Sequence, residues 1–301
     1  MEIKPPDWNG VTPGVYLGVA NEVYHQSRAM SSTALREFAR SPAHFIAYRD
    51  GPKKSSSAFA FGDGTHSFLL EPGPAADRYM FATKCAATVK STGKPCENQG
   101  NRYWDGDWWC GTKGHCPGEP EQPPKPVINE DDLPLIQQCV DNVWSHPGAS
   151  AILKQPGDNE VSVVAEVEGV LCRCRFDALR TGIATAADIK TSRDSSPAYF
   201  EKAIFNFGYY LQAGLYMLVG EAAGLDLEHF AFIAIEKTPP FPVMAYVLKS
   251  EVLKMGKEQV RGLLAKYRQC VESDHWPAYG DEIVDIGLPT WAWSRIERGE
   301  E

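Results

Sequence analysis

Between positions 160 and 190 the sequence sets out three carboxylates and a lysine: Glu160, Asp177, Asp188 and Lys190. Apolar, β-branched runs at 161–164 and 170–176 flank a Glu168-Gly169 turn, and a third run lies at 183–189, so three strands are expected. On that reading Glu160 opens the first strand, Asp177 ends the second, and Asp188 and Lys190 lie on the third. Residues two apart on a strand share a face, so Asp188 and Lys190 project together while Ile189 turns the other way. Carboxylates gathered from adjacent strands suit Mg²⁺, which takes oxygen ligands. Such an ion activates water and neutralises charge building on a phosphate. A neighbouring lysine orients that water or stabilises the developing charge. The grouping suits phosphodiester hydrolysis. An Asp-x-Lys pair alone is more often a surface ion pair of little worth, and its weight comes from the residues around it.

The elements that position these groups follow from periodicity. In FGDGTH, Gly62 and Gly64 predict a turn leading into a helix that holds His66, Phe68, Leu69 and Leu70. Gln212 and Tyr216 stand four apart on a helix expected over 197–218, and so share a face. Ser31-Ser32 before Ala34, Leu35, Phe38 and Ala39 is an N-cap signal, and Ser41-Pro42 stops that helix and starts another. Helices over 131–146 and 251–271 and strands at 230–235 and 243–248 complete the pattern. Strands, a helix, then strands again predict an α/β or α+β fold with a mixed sheet.

Composition sets the bounds. A chain of 301 residues holds one large domain or two ordinary ones, and 43% hydrophobic with 23% charged residues is the balance of a soluble globular protein. No apolar run approaches the ~20 residues of a membrane span. The start, MEIKPPDWNG, lacks the layout of a signal peptide. A cytoplasmic protein without a membrane partner is the expectation. The net charge of −9 argues against coating nucleic acid by bulk electrostatics, yet metal-holding carboxylates and a local basic groove are compatible with it.

Eight cysteines divide unevenly. Cys85, Cys96, Cys110 and Cys116 fall in one segment, while Cys139, Cys172, Cys174 and Cys270 are scattered. Residues 85–126 are rich in Gly, Cys, Trp and Lys, show no amphipathic period, and close on PGEPEQPPKP. They predict an inserted module followed by a linker. Zn²⁺ takes four tetrahedral S or N donors, so three thiolates with either His115 or Cys116 would complete one structural site. Adjacent residues seldom ligate one metal, and the stretch resembles small zinc modules in which a histidine comes last, which favours His115. Free or redox-active thiols are the alternative. Tyr103, Trp104, Trp108 and Trp109 serve as a miniature core or as a surface for stacking on bases.

The blocks YHQSRAMSSTALREFARSPAHF, GTHSFLLEP, GVLCRCRFDAL, ADIKTS, YYLQAGLY, DHWPA and LPTWA occur in that order. Together they resemble the nuclease domain of the phage and prophage exonuclease VIII (RecE) family, within the PD-(D/E)XK superfamily. The resemblance covers most of the chain apart from residues 85 to about 126. It implies an α/β fold: a three-layer PD-(D/E)XK nuclease core with a central mixed sheet flanked by helices, plus a small inserted zinc module. The nuclease domain would comprise an N-terminal part, 1–84, and a core, 127–301, separated by the zinc-binding insertion and linker at 85–126.

By the same resemblance His66 matches a metal ligand, although a hydrogen-bonded core histidine is its plainer role. Asp177 and Asp188 match the carboxylates for Mg²⁺ or Mn²⁺, and Lys190 the catalytic lysine. Glu160 matches a glutamate near the site, for which Glu166 or Glu168 is easily mistaken. Asp188 stands where glutamate is commoner, as in the resembled subfamily. Gln212 and Tyr216 match a Gln-x-x-x-Tyr motif that contacts DNA phosphate or supports the site, and Tyr216 suits core packing equally. Arg173 and Arg175 alternate with Cys172 and Cys174 and so face away from the thiols, serving either a DNA backbone or internal ion pairs.

The activity implied is metal-dependent 5′-to-3′ digestion of linear double-stranded DNA, exposing single strands for a phage-type annealing recombinase. A ring-shaped homo-oligomer around DNA, in the cytoplasm of a bacterial host, is implied with it. Two rivals remain: a nuclease of opposite polarity or structure specificity, and a non-catalytic DNA- or protein-binding adaptor acting through the zinc module. Intact Asp177, Asp188 and Lys190 speak against the adaptor. Some relatives in the superfamily carry an iron–sulfur cluster with cysteines from both ends of the nuclease domain. Here the candidates are local, which favours zinc. The insertion departs from the family pattern, so no role carries over to it.

Overall fold

The structure, a computed structural model, describes residues 12–51, 57–112, 115, 117–280 and 282–299. Its N-terminal part runs through β1 (Gly14–Tyr16), α1 (Asn21–Gln26), α2 (Ser32–Arg40), α3 (Pro42–Asp50), α4 (Ser57–Leu70) and α5 (Pro72–Arg78). Ser31 Oγ accepts the Ala34 N–H and Ser41 Oγ the His44 N–H, so both serines cap as expected. Gly62 and Gly64 do not form a turn; both lie inside α4. Packing overrides their poor helix propensity, about 1 kcal/mol each against alanine. A Cβ on Gly62 would sit 2.8 Å from Thr191 Oγ1, and one on Gly64 2.7 Å from Ile128 Cδ1.

The chain continues through β2 (Met80–Ala82), β3 (Arg102–Trp104), β4 (Asp107–Trp109) and β5 (Val127–Asn129). Strands β2 and β5 pair in parallel, and β3 and β4 form an antiparallel hairpin between them in sequence. Then come α6 (Leu133–Ser145), α7 (Pro147–Leu153), β6 (Asp158–Val167), β7 (Val170–Arg180) and β8 (Thr185–Ser192). Glu168 and Gly169, with φ of 51° and 73°, make the tight β6–β7 turn that the sequence predicts. The helix expected over 197–218 is two helices, α8 (Pro197–Asn206) and α9 (Tyr209–Ala222), broken at Gly208 with φ 65°. The chain ends through β9 (His229–Glu236), β10 (Val243–Val247), α10 (Ser250–Ser273) and α11 (Thr290–Glu297).

Six strands form the central sheet in the order β1-β6-β7-β8-β9-β10. Neighbours are antiparallel except β8 and β9, so the sheet is mixed. The parallel pair needs a crossover, and α8 with α9 supplies it. Period-two alternation along β7 sends Cys172, Cys174 and Phe176 into one core with Phe230 of β9, Leu215 of α9, Leu35 of α2 and Val260 of α10. Ala178 breaks that alternation and lies with Ala187, Ile189 and Ile233 in the opposite core, against Leu69 of α4, Val143 of α6 and Leu153 of α7. Each fully buried aliphatic or aromatic side chain contributes about 1.5–3 kcal/mol. Helices, sheet and helices make the three layers of an α/β fold. Among the described residues no helix is long and apolar enough to cross a membrane.

Candidate active site and metal centres

Strands β7 and β8 pair only through Ala178–Ala187, Leu179–Ala186 and Arg180–Thr185. Beyond Ala178 and Ala187 they part, and the first residues past the fork are Asp177 and Asp188. Asp177 Oδ2 accepts the Ile189 backbone N–H at 2.7 Å, so a side chain satisfies the donor that strand separation would orphan. That bond also pins the carboxylate in the fork.

Glu160 stands opposite Asp177, between the pairs Asn159–Ala178 and Val161–Phe176. Its backbone is left-handed, φ 54°, an uncommon conformation for a glutamate. Like charges directly across a ladder repel, and His66 of α4 offsets this: Nδ1 lies 3.2 Å from Glu160 Oε1 and Nε2 lies 2.7 Å from Asp177 Oδ2. Burial opposes a charge on His66, yet Asp177 and then Glu160 outweigh it and raise the imidazole to about 9. Burial, with Asp177 adding, pushes Glu160 up to about 7. Asp177, although buried, is held below the usual carboxylate range by His66, Lys190 and the Ile189 N–H.

Asp188 and Lys190 do share a face, with Lys190 Nζ 2.5 Å from Asp188 Oδ2. Gln212 of α9 joins them, donating from Nε2 to Asp188 Oδ1 at 2.5 Å and accepting from Lys190 Nζ at 3.0 Å. Lys190 Nζ lies 4.8 Å from the centre of the Tyr209 ring. Burial disfavours the ammonium, but Asp188 and Asp177 raise its pKa, so Lys190 stays charged. Burial pushes Asp188 up to about 6 against the pull of Lys190, which leaves an ion pair at neutral pH.

One ligand atom from each of His66, Glu160 and Asp177 lies within 4.8 Å of the others. Two carboxylate oxygens, Glu160 Oε1 and Asp188 Oδ2, are buried and meet only the ion-pair contacts of His66 Nδ1 and Lys190 Nζ. An imidazole nitrogen and two carboxylate oxygens gathered this closely are a donor set that fits a divalent cation. His66, Glu160 and Asp177 would hold it. The sequence expectation groups His66 with Asp177 and Asp188 and gives Glu160 a lesser place. In the structure Glu160 lies in the cluster, while Asp188 stands outside it, across the fork from Asp177 and bonded to Lys190 and Gln212.

The remaining expected residues divide. Tyr216 is buried edge-on against Phe176 and Phe230, and also borders a cavity of about 170 Å³ beside the cluster. Arg175 lines that cavity, with Nη1 3.6 Å from Glu160 Oε2, and donates to Ser162 Oγ and the Val19 carbonyl. Arg173 is buried and donates to the carbonyls of Ala29 and Tyr24, so it is spent on internal bonds and does not face a DNA backbone. Both guanidiniums pack on the Tyr24 ring, at 4.4 and 4.2 Å. A larger hollow, about 470 Å³ beside β1 and the end of α9, lies away from this chemistry.

A second network beside the cluster was not foreseen. Tyr79 OH donates to Asp63 Oδ2 at 2.7 Å and lies 2.8 Å from Ser67 Oγ, while Arg78 joins Ser67 to Glu71. Asp63, His66 and Ser67 stand at i, i+3 and i+4 on α4 and therefore share its inner face. That spacing is present in the sequence but is hidden when Gly62 and Gly64 are read as a turn.

Between β2 and β5, Cys85, Cys96, Cys110 and His115 converge with all four ligand atoms within 4.8 Å of one another. Cys96 and Cys110 sulfurs are 3.9 Å apart, and His115 Nδ1 lies 3.1 Å from Cys110 Sγ and 3.7 Å from Cys85 Sγ. Tetrahedral zinc with bonds of ~2.3 Å to sulfur and ~2.0 Å to nitrogen sets ligand edges of roughly 3.5–3.8 Å, so the donor set fits a metal ion of that kind. The Cys110 thiol is drawn down to about 5, chiefly by a hydrogen bond with Thr112. Cys116 lies outside the described residues. Cys139, Cys172, Cys174 and Cys270 are buried and free.

No curated protein matches the sequence. Among solved structures, a Eubacterium rectale protein named "Putative exonuclease" superposes with a TM-score of 0.55 at 12% identity, over 92% of this chain and 98% of that one. At that identity the likeness speaks for the fold. The structure of SSO0001 matches at 20% identity over 49% of this chain and 76% of that one, with a TM-score of 0.25 that carries no weight. The profile of a family described as "PDDEXK-like domain of unknown function (DUF3799)" matches residues 31–286. With the forked sheet, the His-carboxylate cluster and the adjoining Asp188–Lys190 pair in place, the chain belongs to this PDDEXK-like family.

Proposed function

We propose that the protein is a divalent-metal-dependent exodeoxyribonuclease that digests linear double-stranded DNA from its ends, 5′ to 3′, leaving single strands. The observation that carries this reading is the fork at Asp177 and Asp188, where the His66–Glu160–Asp177 set abuts Asp188, Lys190 and Gln212. His66, Glu160 and Asp177 would hold Mg²⁺ or Mn²⁺, with Asp188 beside them. A divalent ion in such a place supplies an activated water and neutralises charge on the phosphate. Lys190 offers its ammonium to the oxygens of the scissile phosphate and offsets the charge that grows as water adds. Gln212 fixes both Lys190 and Asp188 so that little reorganisation is needed during the step. The adaptor reading gains nothing from a site with all these groups in contact.

The Cys85–Cys96–Cys110–His115 set holds one structural Zn²⁺ and takes no part in hydrolysis, because a closed four-ligand shell has no place for substrate. The single strands produced serve an annealing recombinase of phage or prophage type in the bacterial cytoplasm, and the working form is a ring-shaped homo-oligomer around duplex DNA.

Incubating linear, covalently closed circular and end-labelled duplexes with Mg²⁺ tests the reading. Linear DNA is consumed, circles are spared, and label at the 5′ end is released first. Rapid nicking of circles points to an endonuclease, early loss of 3′ label to the opposite polarity, and binding without cleavage to an adaptor.

A further inference from the structure

The corner between α8 and α9 carries four aromatic rings in six residues, FNFGYY from Phe205 to Tyr210. Two of them face solvent, Phe205 at 71% exposure and Phe207 at 48%. Single exposed apolar residues are commonplace, whereas two exposed rings at one corner, each backed by its own tyrosine, form a feature of the kind that marks a binding site.

These rings are held in place. Phe205 and Tyr210 lie nearly parallel, 8° between planes and 6.0 Å between centres, and the Tyr210 hydroxyl donates to Gln259 Oε1 on α10. Phe207 packs on Tyr209 at 5.7 Å, and its carbonyl accepts from Arg36 Nη1 at 2.7 Å. Gly208 makes the corner possible: its φ is 65°, and a Cβ there would sit 2.9 Å from Arg36 Cδ. Tyr209 connects the corner to the catalytic groups, because its ring lies against Lys190 Nζ. Within one further turn of α9, Gln212 reaches Asp188. The aromatic surface thus begins one ring away from the lysine and has the Arg36 guanidinium at its side.

We propose that the Phe205–Tyr210 corner is a stacking platform for unpaired nucleobases of the DNA strand at the hydrolytic site. The proposal rests on the nuclease reading above and adds to it how the strand is gripped. Flat aromatic faces bind bases of any sequence, and the Arg36 guanidinium beside Phe207 complements the backbone phosphates. In a duplex the faces of the bases are covered by their neighbours, so the platform selects frayed or single-stranded ends. A second copy of this chain is the other candidate occupant, and sedimentation in the test below distinguishes it.

The test uses the full chain in EDTA, which stops metal-dependent cleavage. The probe is a single-stranded deoxyoligonucleotide containing 2-aminopurine, compared with a strand of equal length bearing abasic sites. Wild-type protein is expected to quench the 2-aminopurine fluorescence and to bind the base-bearing strand about tenfold more tightly. Phe205→Ala and Phe207→Ala lose most of that preference, and Phe205→Trp keeps it. Equal binding of both strands by the wild type overturns the proposal. So does a Phe205→Ala protein that sediments as a smaller species with unchanged strand preference, which would mark the corner as a contact between copies. Cleavage of linear duplex by wild-type protein with Mg²⁺ is scored separately: its absence overturns the nuclease reading, whereas base-dependent quenching reports on the platform alone.

Discussion

Gln212 Nε2 donates to Asp188 Oδ1 over 2.5 Å, while the carbonyl oxygen of the same amide accepts from Lys190. One neutral side chain from the crossover helix therefore sets the orientation of both the carboxylate and the lysine on β8. Partners of this kind are worth about 10–100-fold in activity or metal affinity. Gln212→Ala should lower kcat on linear duplex by that order with little change in KM, measured by steady-state digestion. A variant with unchanged kcat would remove Gln212 from the site.

Asp177→Ala and Asp188→Ala should abolish digestion, since each removes a carboxylate at the fork. Lys190→Ala should be as inactive yet still bind Mn²⁺, because an ammonium is not a ligand. Calorimetric titration with Mn²⁺ beside a digestion assay separates the two effects. Near wild-type digestion by Asp188→Ala would place the chemistry elsewhere.

The pH dependence of stability without metal has a definite sign. His66 is raised from 6.5 to about 9 by its carboxylate partners, so its stabilising contribution is complete below pH 6.5 and lost as pH rises through 9. Glu160, raised by burial to about 7, likewise disfavours the folded state as pH climbs from 4.5 through 7. Asp177 is shifted down and acts in acid, losing its contribution only as pH falls below the normal carboxylate range. In EDTA the melting temperature should fall between pH 6.5 and 9, and His66→Gln should flatten that slope. With Mn²⁺ the slope should shrink or reverse, because the metal displaces the imidazole proton. A flat EDTA profile for the wild type contradicts the assignment.

Purified protein should contain about one zinc per chain, retained through washes that strip Mg²⁺. Cys96→Ser should lose it and open residues 85–126 to protease while the carboxylate site persists. Parallel analysis of His115→Ala and Cys116→Ala decides the fourth ligand, and the geometry at Cys110 expects loss only with His115→Ala. Stoichiometric iron with visible absorption would replace zinc in this account.

What the sequence discloses and what it hides differ for physical reasons. Strand alternation is local, so the shared face of Asp188 and Lys190 is legible from spacing alone, and the β6–β7 turn follows from two strand-forming runs that meet at Gly169, which adopts positive φ freely. The fork is not local. That β8 separates from β7 beyond Ala187 depends on pairing across the sheet, and it decides why Asp177 and Asp188 flank one opening. The place of Glu160 rests on a left-handed backbone that no residue type announces. Glycine misleads in both directions here. Gly62 and Gly64 continue a helix because neighbours press against them, whereas Gly208 ends one at φ 65°, which glycine adopts without steric cost.

The parallel clasp between β2 and β5 has an architectural consequence. Ala82 and Val127 are diagonal neighbours on adjacent three-residue strands, which puts them roughly 8 Å apart. Everything from Thr83 to Pro126 is therefore an excursion that departs from and returns to nearly the same spot. A few residues could bridge that gap, so the length of the cysteine-bearing segment places no demand on the register of the central sheet that holds the fork.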